Sequence, residues 1–383
     1  MSTEVDAPVT VAPKRLYFAD NLRVALVALV VLHHLSIVYA GNTSFYYVDF
    51  IGTKLATGGF TVFAAMFQLL NQAYFMGLLF FLAGYFTPAS FERKGPALFF
   101  KDRLIRLGIP LVVFMFILGP LSSIGSYTMP QSITHLPALS WSQYPHMIAM
   151  GPLWFAALLL IFDVLYVLWR TIRRNAAEGK SWAPGFWAIC LFIIALAIVS
   201  YFMRMAVPIA TYVLNFPSLA YLPQYLSFFV LGAILSHRDW LSNVPSRYGI
   251  VGFIVAIVSL ILFLVGISAK YGTAAGFLGH GTFQSGVYAL WDSIFSVCMG
   301  LALIVFFRRF FNHTHGFGRF VQGNSFAVYV IHCPLIVLIC GLLLHPLTMT
   351  WSAKFLLAAV ITVPVVFLVA GLIRKIPGVK KVL

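Results

Sequence analysis

The chain has 383 residues, of which 61% are hydrophobic, 16% aromatic and only 9% charged, and its formal net charge is +15. A soluble domain carries about 25% charged residues, so this composition excludes an ordinary soluble enzyme and makes lipid the main solvent. No zinc-finger, helix-turn-helix or RNA-binding pattern accompanies the basic excess, so nucleic acid is not an expected partner.

Ten apolar runs are long enough, or nearly so, to cross a bilayer: 22–40, 60–87, 104–126, 147–169, 185–207, 219–236, 249–268, 286–307, 324–344 and 354–373. They predict an all-α fold, a polytopic transmembrane helix bundle of about ten helices with no appended soluble domain. The expected divisions are a tail at 1–19, a transmembrane domain at 20–375 and a second tail at 376–383. Residues 1–19 are polar and no cleavable signal is evident. Of the 25 Lys and Arg, all but Lys54, Arg204, Lys270 and Lys354 fall in the terminal tails and alternate loops. One missed span would invert every later loop, so this asymmetry predicts both ends on the cytoplasmic side.

The first run, DNLRVALVALVVLHHLSIVYAG, holds Arg23 and His34. Charge in lipid is costly and usually functional. Eleven residues at about 1.5 Å each put His34 roughly 16 Å beyond Arg23, an expected depth near the bilayer midplane. His33 and His34 point about 100° apart, so one of them faces the interior squarely. The functional reading is a general base or proton relay; the bland one is a pair of packed polar side chains. The second run carries Gln68, Asn71 and Gln72 and reads as a tilted or broken helix, or a re-entrant piece followed by a span.

At the start of the third run, Arg103 and Arg106 form RLIR, and i, i+3 spacing projects both guanidiniums from one face. Such a fork suits phosphate, although cytoplasmic anchoring also calls for cations there. Trp154 in the fourth run lies near an outer interface, where tryptophan is common. Asp163 and Asp292 are acids within spans, each placed to pair with a histidine or an arginine. In the ninth run His332 reaches a depth comparable to His34, which suggests a shared polar cavity or a structural interhelical hydrogen bond.

Cys190, Cys298, Cys333 and Cys340 lie inside apolar runs without metal-ligand spacing, so buried free thiols and no bound metal are expected. There is no P-loop, Rossmann glycine pattern, G-x-S-x-G elbow or H-E-x-x-H.

Together these stretches resemble the acyltransferase-3 family of membrane-bound O-acyltransferases. The opening Asp-x-Leu-Arg and its histidine are matched by Asp20, Leu22, Arg23 and His34. FFLAGYF (Phe80 to Phe86) stands where the family has an FFLSGF-like stretch, with alanine for the usual serine. Arg103 and Arg106, the LWF at Leu153 to Phe155, and FAVYVIHCP at Phe326 to Pro334 follow in order. The DNLR opening and the HHL continuation are similar to the branch of glucan succinyl and acetyl transferases.

The resemblance implies a multi-pass inner-membrane enzyme. It would move an acyl group, acetyl or succinyl, from cytoplasmic acyl-CoA to a hydroxyl of a glycan, lipid-linked sugar or secondary metabolite. Acyl-CoA is then a donor substrate, and no cofactor is permanently bound. The implied catalytic residues are His34, Arg23 and His332; Arg103 and Arg106 would hold the donor, and Asp292 and Trp154 the acceptor. No SGNH domain is present, so the membrane core completes the transfer or hands off to a separate extracytoplasmic protein. The rival readings are a transporter or flippase, which would consume no thioester, and a non-catalytic component of a glycan assembly complex.

Overall fold

The computed structural model describes residues 15–172, 184–217, 219–236, 240–270 and 274–383. Lys14, Arg173, Arg174, Lys180 and Arg238, counted above among the basic segments, lie outside the described residues, as does most of the 1–19 tail. Among the described residues, nine helices are long and apolar enough to cross a membrane. The longer helices are α1 (Tyr17–Val38), α2 (Gly59–Arg103), α3 (Gly119–Tyr127), α4 (Trp154–Ile172) and α5 (Phe186–Ala206). They continue with α6 (Leu222–Ser236), α7 (Ser246–Lys270), α8 (Phe283–Phe310), α9 (Gly316–Leu338) and α10 (Trp351–Ile373). Lipid as solvent shows in the side chains they leave outward: Phe202 is 60% exposed, Leu262 67% and Val360 72%.

One apparent span runs unbroken from Gly59 to Tyr127, 69 residues. A straight helix of that length would be about 100 Å, several times the hydrocarbon thickness. The chain instead turns back at Gly95, whose backbone (φ 72°, ψ 168°) belongs to glycine almost alone. Arg103 reaches Thr87 Oγ1 at 3.5 Å although it lies sixteen positions further along the chain, and Phe91 packs on Phe99. The runs expected at 60–87 and 104–126 are therefore the two arms of one hairpin.

Beyond the hairpin the third pass is not a regular helix. Leu104–Gly108 and Phe114–Leu118 are π-helical, and Pro110 and Pro120 follow them. A proline has no N–H to return to the carbonyl four residues before, which loosens the turn. Pro120 has no N–H to offer the Phe116 carbonyl, which accepts the Tyr144 hydroxyl at 2.7 Å.

Small residues set the tightest helix contact. A Cβ on Gly84 would lie 2.1 Å from the Phe229 carbonyl oxygen, and one on Gly232 would lie 2.2 Å from that of Phe81. Helices α2 and α6 thus touch backbone to backbone, as small residues allow in membranes. Helix α1 is central: it meets α2 through His33 and Phe75, and α9 through His34 and His332.

Helical structure also extends into both expected tails. α1 begins at Tyr17, so residues 17–19 are helical. At the other end Val379–Val382 forms a helical turn within the expected tail, where Arg374 Nε donates to the Leu383 carbonyl at 2.8 Å.

Candidate active site

His34 and His332 meet across the α1–α9 contact. His332 Nε2 lies 3.2 Å from His34 Nδ1, with ring centroids 5.0 Å apart. His332 Nδ1 is 2.7 Å from the Tyr329 carbonyl, and His34 Nδ1 is 2.9 Å from the Val30 carbonyl. A carbonyl only accepts, so the partners assign a proton to both Nδ1 atoms. His332 Nε2 is then an acceptor for the His34 Nδ1–H, and His34 Nε2 carries the free lone pair. His332 is fully buried, while His34 borders a cavity of about 450 Å³.

The cavity is lined by His33 and His34 of α1, Gln72 and Phe75 of α2, Trp154 at the start of α4, Tyr329 of α9, and the loops bearing Tyr46 and Tyr212. Trp154 stacks on Tyr225 at 5.5 Å, and Gln72 Nε2 donates to the Tyr225 hydroxyl at 2.9 Å. Burial holds the Tyr46 phenol well above its ordinary pKa, so it stays a neutral hydroxyl at the wall. Tyr329 donates to the Pro152 carbonyl and so fixes the turn before Trp154. No Asp, Glu, Lys or Arg lines the cavity among the described residues.

Along α1, His34 lies toward the end away from Arg23. Because α1 starts at Tyr17 and ends at Val38, His34 sits four residues from the far end of the helix, about 6 Å, and not at its middle. The cavity accordingly draws on the loops at that end.

The arginines gather at the opposite end. Arg23 pairs with Asp20 at 2.7 Å, which Arg15 also holds at 2.8 Å. Arg103 and Arg106 do not form the shared fork that their spacing suggests. Arg103 turns inward to buried Asp163 at 3.2 Å, while exposed Arg106 pairs with Asp102 at 3.2 Å. The π-helical turn begins at Leu104, between the two arginines, and ends the regular i, i+3 relation. Along α2, the residue touching Arg103 (Thr87) and the ring touching His33 (Phe75) are twelve residues apart, about 18 Å. Phe80, Trp154, Phe155 and Phe162 pack together between these levels.

Asp292 does not join the histidines. It is buried against Arg204 at 2.6 Å, with Tyr221 and Tyr288 each 4.8 Å from the guanidinium. It lies outside the cavity wall.

Sequence reasoning missed a third buried charge cluster. Asp49 accepts from Lys354 Nζ at 2.7 Å and His345 Nδ1 at 2.7 Å, and from the Tyr47 hydroxyl at 3.2 Å. It pins the loop that carries Phe45 and Tyr46 to the start of α10. Its only signal in the chain is an acid beside an apolar run, which names no partner. No group of three or more potential metal ligands occurs among the described residues.

The chain is similar along nearly its whole length to known proteins. The acyltransferase-3 family model, described as "Acyltransferase domain", matches residues 16–371. "Glucans biosynthesis protein C" of Escherichia coli O81 (strain ED1a) is 24% identical, over 97% of this chain and 94% of that protein. The proteins of the same name from Escherichia coli (strain K12) and Shigella boydii serotype 4 (strain Sb227) match with the same identity and the same coverage. These matches cover both arms of the Gly95 hairpin and the helices bearing His34 and His332, and on them the chain belongs to the acyltransferase-3 family of multi-pass membrane acyltransferases.

Proposed function

We propose that this acyltransferase moves an acetyl or succinyl group from cytoplasmic acyl-CoA to a hydroxyl of a glycan, lipid-linked sugar or secondary metabolite at the inner membrane. It would then be an O-acyltransferase of the class that transfers groups other than amino-acyl groups. The observation that carries the reading is the His34 imidazole, with both its proton position and its free lone pair fixed by neighbours, on the wall of a cavity.

In this reading the acceptor occupies the cavity and its hydroxyl oxygen attacks the thioester carbonyl carbon. Its proton passes to His34 Nε2 as the C–O bond forms. The C–S bond then breaks, and the leaving thiolate takes the proton back from the imidazolium. The product is an ester and free CoA thiol. His332 orients His34 through the 3.2 Å contact and accepts its Nδ1–H while the ring is charged. Trp154 packs against the acceptor.

The donor enters at the arginine end. Arg106 and Arg103 hold its phosphates, and Arg23 contributes to the positive potential there. The roughly 18 Å between the two levels of α2 suits an extended pantetheine arm. The aromatic layer around Phe80 parts to admit that arm and excludes water when closed. Asp292 serves only as the counter-ion of Arg204. A separate extracytoplasmic transferase is not required when the acceptor reaches the cavity directly.

The test is acceptor-dependent release of CoA thiol by the purified protein in proteoliposomes. The expected result is thiol release in step with ester formation, lost in His34→Ala. A flippase or transporter would move solute without consuming thioester, and that result would overturn the proposal.

A further inference from the structure

Beside the histidine cavity lies a second hollow of about 440 Å³ that no step above uses. It sits between the end of α3 and the segment 128–150, and Ser123, Tyr127, Gln143 and His146 supply its polar groups. Ser126 borders both hollows, so they adjoin at this residue. This sill is fixed: Ser126 Oγ donates to the Tyr46 carbonyl at 2.8 Å. The covering segment is fixed too, because Tyr144 is tied to the Phe116 carbonyl.

Both linings share a chemistry. Neither contains Asp, Glu, Lys or Arg among the described residues. A charged ligand would lose water there and gain no counter-ion. An aliphatic chain would leave the hydroxyls and amides without partners. A neutral polyhydroxylated ring satisfies both requirements, with C–H faces against Trp154 and Phe45 and hydroxyls against the neutral polar groups. Each hollow falls within the roughly 300–1,000 Å³ typical of small-ligand pockets.

We propose that the second hollow is a subsite for additional sugar units of a neutral oligosaccharide whose reacting unit lies beside His34. This placement rests on the transfer reading above. The acceptor chain crosses Ser126, and hydrogen bonds from Gln143 and His146 hold its far end.

The experiment uses the whole protein in proteoliposomes with acetyl-CoA and a series of neutral gluco-oligosaccharides from mono- to hexasaccharide. Acceptor kcat/KM is expected to rise about tenfold on going from the monosaccharide to the longer members, the equivalent of about 1.4 kcal/mol. Gln143→Ala with His146→Ala should erase most of that advantage through KM. Ser123→Trp, which fills the hollow, should do the same. Calorimetric binding of the series to His34→Ala, which consumes no acceptor, should show the same length dependence. Acylation that is indifferent to length, with variants matching the parent, would show the hollow to be a solvent vestibule and leave the transfer reading intact. If no sugar is acylated and none binds to His34→Ala, both readings fall.

Discussion

An imidazole can accept a proton only through a nitrogen that carries none, so the contacts that fix the tautomer of His34 matter as much as its position. The Val30 and Tyr329 carbonyls place protons on both Nδ1 atoms, and the 3.2 Å contact chains His34 to His332. Removing the base itself, in His34→Ala, is expected to lower kcat by about 10²–10⁴-fold. His332 acts through His34, and the contact it makes is to a ring that becomes charged. A hydrogen bond to a charged group is worth about 1.5–3 kcal/mol, so His332→Ala is expected to lower kcat by about 10–100-fold. Donor KM should stay constant, and His332→Gln should recover part of the loss by supplying an acceptor at the same place. Steady-state kinetics of the three variants check this; a kcat for His332→Ala equal to that of the parent would remove His332 from the chain of contacts. The two histidines were legible in the sequence because a costly polar group in an apolar run stands out, and because two helices starting on the same side bring them to similar heights. The Asp49, Lys354 and His345 cluster was not legible. Asp49 and Lys354 are 305 residues apart, and nothing local in either segment names the other.

Pairs of helices are held here by two different devices, and each makes its own prediction. Helices α2 and α6 approach through Gly84 and Gly232, where an added methyl would collide with a backbone carbonyl that has nowhere to go. Gly84→Ala and Gly232→Ala should each cost about 1–3 kcal/mol and lower the melting temperature of the solubilised protein. Gly300→Ala is the control. Its added methyl meets nothing nearer than Leu78 at 3.8 Å, so the melting temperature should hold or rise. Equal losses at all three positions would show that helix flexibility, and not close approach, is at stake. Helices α5 and α8 are instead pinned by Arg204 and Asp292, both fully buried. Asp292→Leu alone leaves a buried guanidinium without its counter-ion, at a cost of about 3–5 kcal/mol. Arg204→Met combined with Asp292→Leu should restore most of the lost stability, which thermal melts of single and double variants will read. The apolar runs and their approximate ends were visible in the sequence, since hydropathy and length decide what can span lipid. Whether Arg103 and Arg106 share a face was not, because the π-helical turn between them depends on Pro110 and on packing that a repeat of 3.6 does not encode.

At the level of the whole molecule, the polar machinery is divided between two ends of one bundle. Arg15, Arg23 and Arg106 stand with Asp20 and Asp102 at one end, and the neutral histidine cavity opens among the loops at the other. A donor rich in phosphate and an uncharged acceptor would find matching surroundings at opposite faces, which gives the orientation in the membrane a functional meaning. Positively charged loops are retained on the cytoplasmic side, so the arginine end should face the cytoplasm and the cavity the outside. Ser44 is exposed at the cavity end and Lys380 at the arginine end. In intact cells a membrane-impermeant thiol reagent is expected to modify Ser44→Cys at once and Lys380→Cys only after permeabilisation. Of the native thiols, Cys298, Cys333 and Cys340 are buried and Cys190 is half-buried within α5, so background labelling should be low. The opposite pattern would invert the bundle. The cavity would then open toward the acyl-CoA pool and the arginines away from it, and a base beside the cavity could no longer meet a cytoplasmic donor and an external acceptor from opposite sides. Labelling of both sites from the outside would mean an odd number of crossings between residues 44 and 380 has been miscounted, and the Gly95 hairpin would be the first place to look, because it alone converts one long helix into two.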